Sequence, residues 1–228
     1  MRSAYLIIML LTLSYPLYKS FEKKVHYYSK WKLVFQATLP FSILFMLWDN
    51  WFTAINVWKF NTEFILNIFI FYLPLEEYLF FLFVPFSCLF IYEVTQYFIK
   101  TDPLKSYSTS ISWTIIIISI FFICKYPDRI YPLILFSSLT TVLLIHLFII
   151  KTTYLGKFYL CFAICTLPFL LVNGLLTALP IIIYNEHHIM GIRIYTIPLE
   201  DLFYGMLYLL VIISTYEFLK TKSLSIHK

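Results

Sequence analysis

Apolar residues run along this chain in seven blocks, at about 3–18, 33–57, 64–99, 110–124, 131–150, 158–183 and 194–219, with lysine, serine, asparagine and proline collecting between them. A helix rises 1.5 Å per residue and needs roughly 20 apolar residues to cross a hydrocarbon core about 30 Å thick. The pattern predicts an all-α integral membrane protein of about seven transmembrane helices. Asp49 and Asn50 interrupt the second block, the fourth is barely long enough, and the third is too long for one straight helix. Composition agrees: 61% hydrophobic and 21% aromatic residues with only 13% charged lie far outside soluble averages.

Charge then orients the spans. Loops after odd-numbered blocks, with the tail, carry twelve basic residues, Lys19, Lys23, Lys24, Lys30, Lys32, Lys100, Lys105, Lys151, Lys157, Lys220, Lys222 and Lys228, against Arg2, Lys59, Lys125, Arg129 and Arg193 on the other side. The positive-inside rule puts the N-terminus outside and the C-terminus in the cytoplasm, in the cell's inner membrane. The net charge of +5 is this bias and calls for no nucleic-acid partner. The first block is not read as a signal peptide, because no small-residue cleavage site follows it. Cys88, Cys124, Cys161 and Cys165 form no CxxC pair and are read as packing residues, and His187 and His188 as surface residues rather than metal ligands.

Sliding the sequence against itself by 124 positions aligns 49–96 with 173–220 without a gap. The polar identities decide the matter, because polar residues are scarce here: Thr53/Thr177, Asn61/Asn185, Glu76/Glu200 and Glu93/Glu217, with Asp49 meeting Asn173 and Glu77 meeting Asp201. A duplication follows, with a first repeat over 1–100, a connecting helix in 101–130 and a second repeat over 131–228. The extra helix restores orientation, so the arrangement is 3+1+3 with parallel repeats about an axis along the membrane normal. The two "PLE" motifs then lie at one depth and open the third and seventh helices. The segments before them, "EFILNIFIFYL" and "HHIMGIRIYTI", are expected to lead in as extended or re-entrant chain.

An ionised carboxylate inside a bilayer costs roughly 2.5–3.5 kcal/mol on insertion scales, so such groups usually face a protein interior. Glu76, Glu77, Glu200 and Asp201 are the candidate proton donors and acceptors, with the identical pair Glu76 and Glu200 slightly favoured. Asp49 with Thr53, and Asn173 with Thr177, are four apart on one helix face and are candidates to orient the acids. Trp48, Phe80, Phe81 and Tyr204 would wall a substrate site whose π-faces stabilise positive charge. Glu93 and Glu217 lie about 25 Å further along their helices, towards the lysine-rich side.

"LPLEEYLFFLFVPFSCLFIYE", "GIRIYTIPLEDLFYGM" and "LVNGLLTALP" resemble the small membrane lycopene cyclases, found as two short subunits or fused in one chain. The resemblance covers nearly the whole length, each half matching one subunit. It implies cyclisation of the ψ ends of lycopene to β-ionone rings, by way of γ-carotene to β-carotene, without net redox change. Lycopene or a related acyclic carotenoid and the bilayer are then the partners, with a homo-oligomer or association with other carotenoid enzymes left open. No cofactor or metal is expected: four glycines and no GxGxxG leave nothing to hold a flavin or nicotinamide. The halves differ, Glu-Glu with Phe80 and Phe81 against Glu-Asp with Tyr204 and Gly205, so one or two active sites both fit. A transporter with parallel repeats and a non-catalytic carotenoid-binding subunit are the rival readings.

Overall fold

A computed structural model of the chain describes residues 2–150 and 152–226, with side chains as far as Lys222; Lys151 and Lys228 of the charge count lie outside the described residues. The helices are α1 (Ala4–Lys19), α2 (Trp31–Ala54), α3 (Leu75–Phe98), α4 (Ser108–Lys125), α5 (Ile130–Leu144), α6 (Leu155–Ala178) and α7 (Leu199–Ile226). A 3-10 turn, Tyr27–Lys30, leads into α2, and a π-helical turn, Ile145–Ile150, prolongs α5. Among the described residues six helices are long and apolar enough to cross a membrane, and α1, at 16 residues, is the short one. The protein is an all-α, multi-pass membrane protein.

The overlong third block divides at Pro74. Proline has no N–H to donate and suits a helix entrance, and Pro74 sits there in extended conformation, with Glu76 and Glu77 in the first turn of α3. The residues before it fold back as a hairpin of β2 (Phe69–Ile70) and β3 (Leu73–Pro74), not as a span. The second half repeats this with β5 (Arg193–Ile194) and β6 (Ile197–Pro198) ahead of α7. Both hairpins take positive φ at equivalent places, Asn67 (61°) with Gly191 (77°) and Phe71 (54°) with Tyr195 (58°).

The 124-residue offset carries α2 onto α6, and each of β1 (Trp58–Phe60), β2 and β3 onto β4 (Ile182–Tyr184), β5 and β6, end to end. β1 and β4 pair antiparallel, Trp58 with Tyr184, Lys59 with Ile183 and Phe60 with Ile182. Lys59 and Ile183 are themselves equivalent, so the pseudo-two-fold axis passes through this pair and joins the repeats. The exchange continues beyond the strands, where Asn61 N–H donates to Ile181 O (2.8 Å) and Asn185 N–H to Val57 O (2.9 Å). Around the axis α2 packs on α3 and α7, α3 on α6, and α5 on α7, while α4 lies outside against α5 and α6.

At the opposite end, where the lysines collect, Glu93 is 3% exposed and joins three elements. It accepts from Lys30, ahead of α2, and from Tyr216 Oη and Lys220 Nζ of α7, both at 2.8 Å. Gln96 bridges Glu217 and Lys157 alongside. Removing one partner of a buried charge cluster leaves the others unsatisfied. Glu93→Ala is therefore expected to lower unfolding stability by about 1–3 kcal/mol, a discounted figure because both lysines are partly exposed. A thermal melt in detergent reads the loss, and Lys220→Met, which leaves Lys30 on Glu93, should melt above it.

Candidate active site

The first and second acids of each motif sit in different surroundings. Glu76 and Glu200 are fully buried, and each carboxylate accepts a backbone N–H from the loop ahead of its own hairpin. Leu66 N–H reaches Glu76 Oε1 at 2.7 Å, and Met190 N–H reaches Glu200 Oε1 at 2.5 Å, which are equivalent bonds in the two repeats. The second oxygen of each has no hydrogen-bond partner. Glu76 and Glu200, which the sequence slightly favours as proton donors, are thus each bonded to the loop ahead of their own hairpin. Neither faces the central cavity.

That cavity, of about 400 Å³, lies between the repeats and is lined by Glu77, Asp201 and Asp49. Adjacent residues on a helix point about 100° apart, so an acid one position past the anchor faces inward while the anchor faces the loop. Asn173, Phe80 and Tyr204 also line it; Trp48, Phe81, Thr53 and Thr177 do not. Trp48 supports the wall from behind, edge-on to Tyr204 at 5.6 Å, and Phe81 packs edge-on to Tyr208 at 5.5 Å. Thr177 bonds to the Asn173 carbonyl (2.9 Å) and to Thr196 (2.7 Å), steadying α6 against the hairpin, whereas the buried Thr53 hydroxyl has no partner.

The two halves supply different chemistry to this one space. Asp201 accepts three hydrogen bonds, from Tyr131 Oη (3.0 Å), Asn173 Nδ2 (3.0 Å) and Tyr184 Oη (2.6 Å). Glu77 accepts one, from Tyr5 Oη at 2.6 Å. The positions matching Asn173 and Tyr184 are Asp49 and Phe60 in the first half, so one donor has become an acid and the other a bare ring. Asp49 accepts instead from Tyr204 Oη of the other repeat at 2.6 Å, where the first half has Phe80. Among the described residues the lining includes no lysine, arginine or histidine. Burial first, then the charge and hydrogen bond of Asp201, hold the Tyr184 phenol well above its ordinary pKa, so it stays a donor at neutral pH.

Tyr5 and Tyr131 escape the sequence reading. They stand on α1 and α5, are equivalent, and each donates to the second acid of its own half. They are 126 apart rather than 124, so a gap-free alignment beginning at 49 misses them; extending it to the first helix of each repeat with a two-residue shift pairs Tyr5 with Tyr131, Ile8 with Ile134 and Leu13 with Leu139. The cavity's remaining walls are apolar and aromatic, including Trp58, Phe60, Phe169 and Tyr208. Leu11 and Tyr15 of α1 line it while 67% and 62% exposed, so it opens sideways, towards the bilayer. Among the described residues no group of three or more His, Cys, Asp or Glu is arranged to hold a metal ion.

With this geometry established, comparison with known proteins adds one finding. The sequence profile described as Lycopene cyclase matches residues 2–95 and, again, 128–219. No curated protein and no solved structure matches the chain.

The division of labour between neighbouring acids is testable. Glu76→Ala or Glu200→Ala strips a backbone N–H, part-buried at Leu66 and buried at Met190, of its acceptor, with an expected cost of about 1–3 kcal/mol and faster proteolytic cleavage in 61–74 or 185–198. Glu76→Gln and Glu200→Gln, which keep an amide oxygen in place, should recover most of that stability.

Proposed function

The chain belongs to the lycopene cyclase family, and from that membership and the cavity's geometry we propose that it converts lycopene to β-carotene by proton-initiated cyclisation in a single site between its repeats. The observation that carries the reading is that Asp49, Glu77 and Asp201, from both repeats, face one apolar cavity open towards lipid. An acyclic polyene has no polar group to bind and dissolves in the bilayer. A lateral mouth and aromatic walls suit it, as they do not suit a carrier of polar solutes.

Glu77 and Asp49 act as the proton-handling pair. Each has a single phenol donor, from Tyr5 and Tyr204, and no basic side chain lines the cavity to hold both as anions. Apolar surroundings and a neighbouring acid favour one shared proton. One member protonates the terminal double bond of the ψ end, leaving a tertiary carbocation. The next trisubstituted double bond attacks it, closing the six-membered ring and moving the positive charge onto a ring carbon. Loss of the adjacent proton to the ionised member forms the ring double bond. One proton enters and one leaves, so substrate and product are isomers and the pair is reset.

Asp201 has a different part. Three donors satisfy it as an anion, so it offers a fixed negative charge to the cation without competing for the proton. The faces of Phe60, Phe80, Trp58 and Tyr208 supply further stabilisation and keep water from capturing the cation. The same reading puts the protein in the cytoplasmic membrane with its lysine-rich end inside.

Expressed in cells that accumulate lycopene, the chain is expected to turn red pigment orange-yellow without added cofactor. Glu77→Gln and Asp49→Asn should each lower product at least 100-fold, the usual contribution of a positioned acid or base, while Glu76→Gln keeps substantial activity. Asp201→Asn should also be severely impaired, and Tyr131→Phe less so. Chromatography of the pigments at matched protein levels decides the matter, and full bicyclic product from Glu77→Gln would remove that acid from the mechanism.

A further inference from the structure

A second groove, of about 520 Å³, follows α1, α3 and α6 to the lysine end, lined among others by Lys19, Lys24, Val94, Phe98 and Ile164. The two spaces share Tyr15, Phe90 and Ile91 as walls, so they adjoin. Along α3 their walls run from Glu77 to Ile99, about 33 Å at the helical rise. That is most of a bilayer's hydrocarbon thickness. Between the acids and the lysines the path is walled mainly by aliphatic and aromatic side chains.

The second repeat is built differently in the equivalent place. Phe90 of α3 corresponds to Ser214 of α7, and His146, buried in the π-helical turn after α5, shares a 2.6 Å hydrogen bond with it. His146 is held in turn by the Val142 carbonyl at 2.7 Å. This bridge ties α5 to α7 near the lysine end, whereas the equivalent pair, α1 and α3, is tied further back, by Ser87 Oγ donating to the Thr12 carbonyl at 3.1 Å, and flanks the groove beyond that bond. α4 adds a further cover over the α5 side, with Phe122 stacked on Phe136 at 5.1 Å.

We propose that this track holds the polyene in one direction only, with one end at Asp49, Glu77 and Asp201 and the far half along α1, α3 and α6 to the lysine end. The inference rests on the cyclase reading above and adds an order of events. While one end is at the acids the other lies a helix-length away, where among the described residues the groove's lining has a single acid, Glu22, beside Lys19 and Lys24. The two rings are therefore made in separate binding events. The monocyclic product leaves through the lateral mouth, turns end for end in the bilayer and re-enters.

Purified full-length protein in phosphatidylcholine vesicles loaded with excess lycopene provides the test. Monocyclic product is expected to build up beyond the enzyme concentration before bicyclic product appears, and isotope-labelled γ-carotene added to the vesicles is expected to mix into the bicyclic pool. Bicyclic product from the first turnovers, with no accumulation and no label, would overturn the proposal. A second measurement places a bulky ring in the far groove alone. Val94→Trp should lower turnover of lycopene, relative to a shortened acyclic polyene bearing the same end group, at least tenfold. An unchanged ratio would overturn the track, and if the variant loses both activities the wild-type labelling decides. A wild-type chain that cyclises neither polyene would instead remove the cyclase reading itself.

Discussion

Carboxyl groups buried in an apolar, membrane-spanning bundle are the constraint around which this molecule is built. Each must find hydrogen-bond donors or a cation, or keep its proton, because water is not there to solvate it. The protein meets that demand in three ways. Glu76 and Glu200 take backbone N–H groups and so define the loops ahead of α3 and α7. Glu93 takes two lysines and a phenol at the far end. Asp201 takes three neutral donors, and Asp49 and Glu77 are left with one each. The first two solutions hold the fold together, and the contrast within the third is what the proposed mechanism uses to tell acid from anion.

Duplication explains how acids far apart in sequence come to share a cavity. A two-fold axis along the helices brings Glu77 and Asp201 to one depth on facing sides, and the β1–β4 pair holds the copies in register at that end. Perfect symmetry would have made two equal half-sites. Three exchanges between equivalent positions prevent it: Asp49 for Asn173, Phe60 for Tyr184 and Phe80 for Tyr204. All three concentrate phenol and amide donors in the second half and leave the first half poor in them. The Tyr204–Asp49 bond, which crosses between repeats, exists only because of two of these exchanges.

Much of this was legible in the residues. Hydropathy located the spans, and Pro74 explained why the third block exceeds a helix, since the excess is a hairpin. The offset of 124 found the repeat because Glu, Asn and Thr are rare enough for their matches to carry weight. What could not be read was direction. Glu76 and Glu77 are neighbours in an apolar run, and only the return of the chain through Leu66 tells which one the loop claims. Tyr5 and Tyr131 lay outside the gap-free alignment, and Tyr184 sat between the sixth and seventh apolar blocks, outside every motif singled out, so the donors that separate Glu77 from Asp201 depended on tertiary contacts. Trp48 and Phe81 were chosen for proximity in sequence and pack behind the wall.

The odd helix gains a second meaning from the same asymmetry. Topology requires α4, because three spans per repeat would otherwise leave the second copy inverted. It also has to lie somewhere, and it lies against α5 and α6, joined to α6 by the 2.6 Å Ser112–Tyr159 hydrogen bond. The outer surface of α5 is therefore covered, while α1, its counterpart, keeps Leu11 and Tyr15 exposed beside the cavity. On the proposed reading, in which the cavity admits a lipid-soluble molecule and excludes water, one open flank and one covered flank are what it needs. The connector that restores the orientation of the duplicated unit also leaves its two flanks unequal.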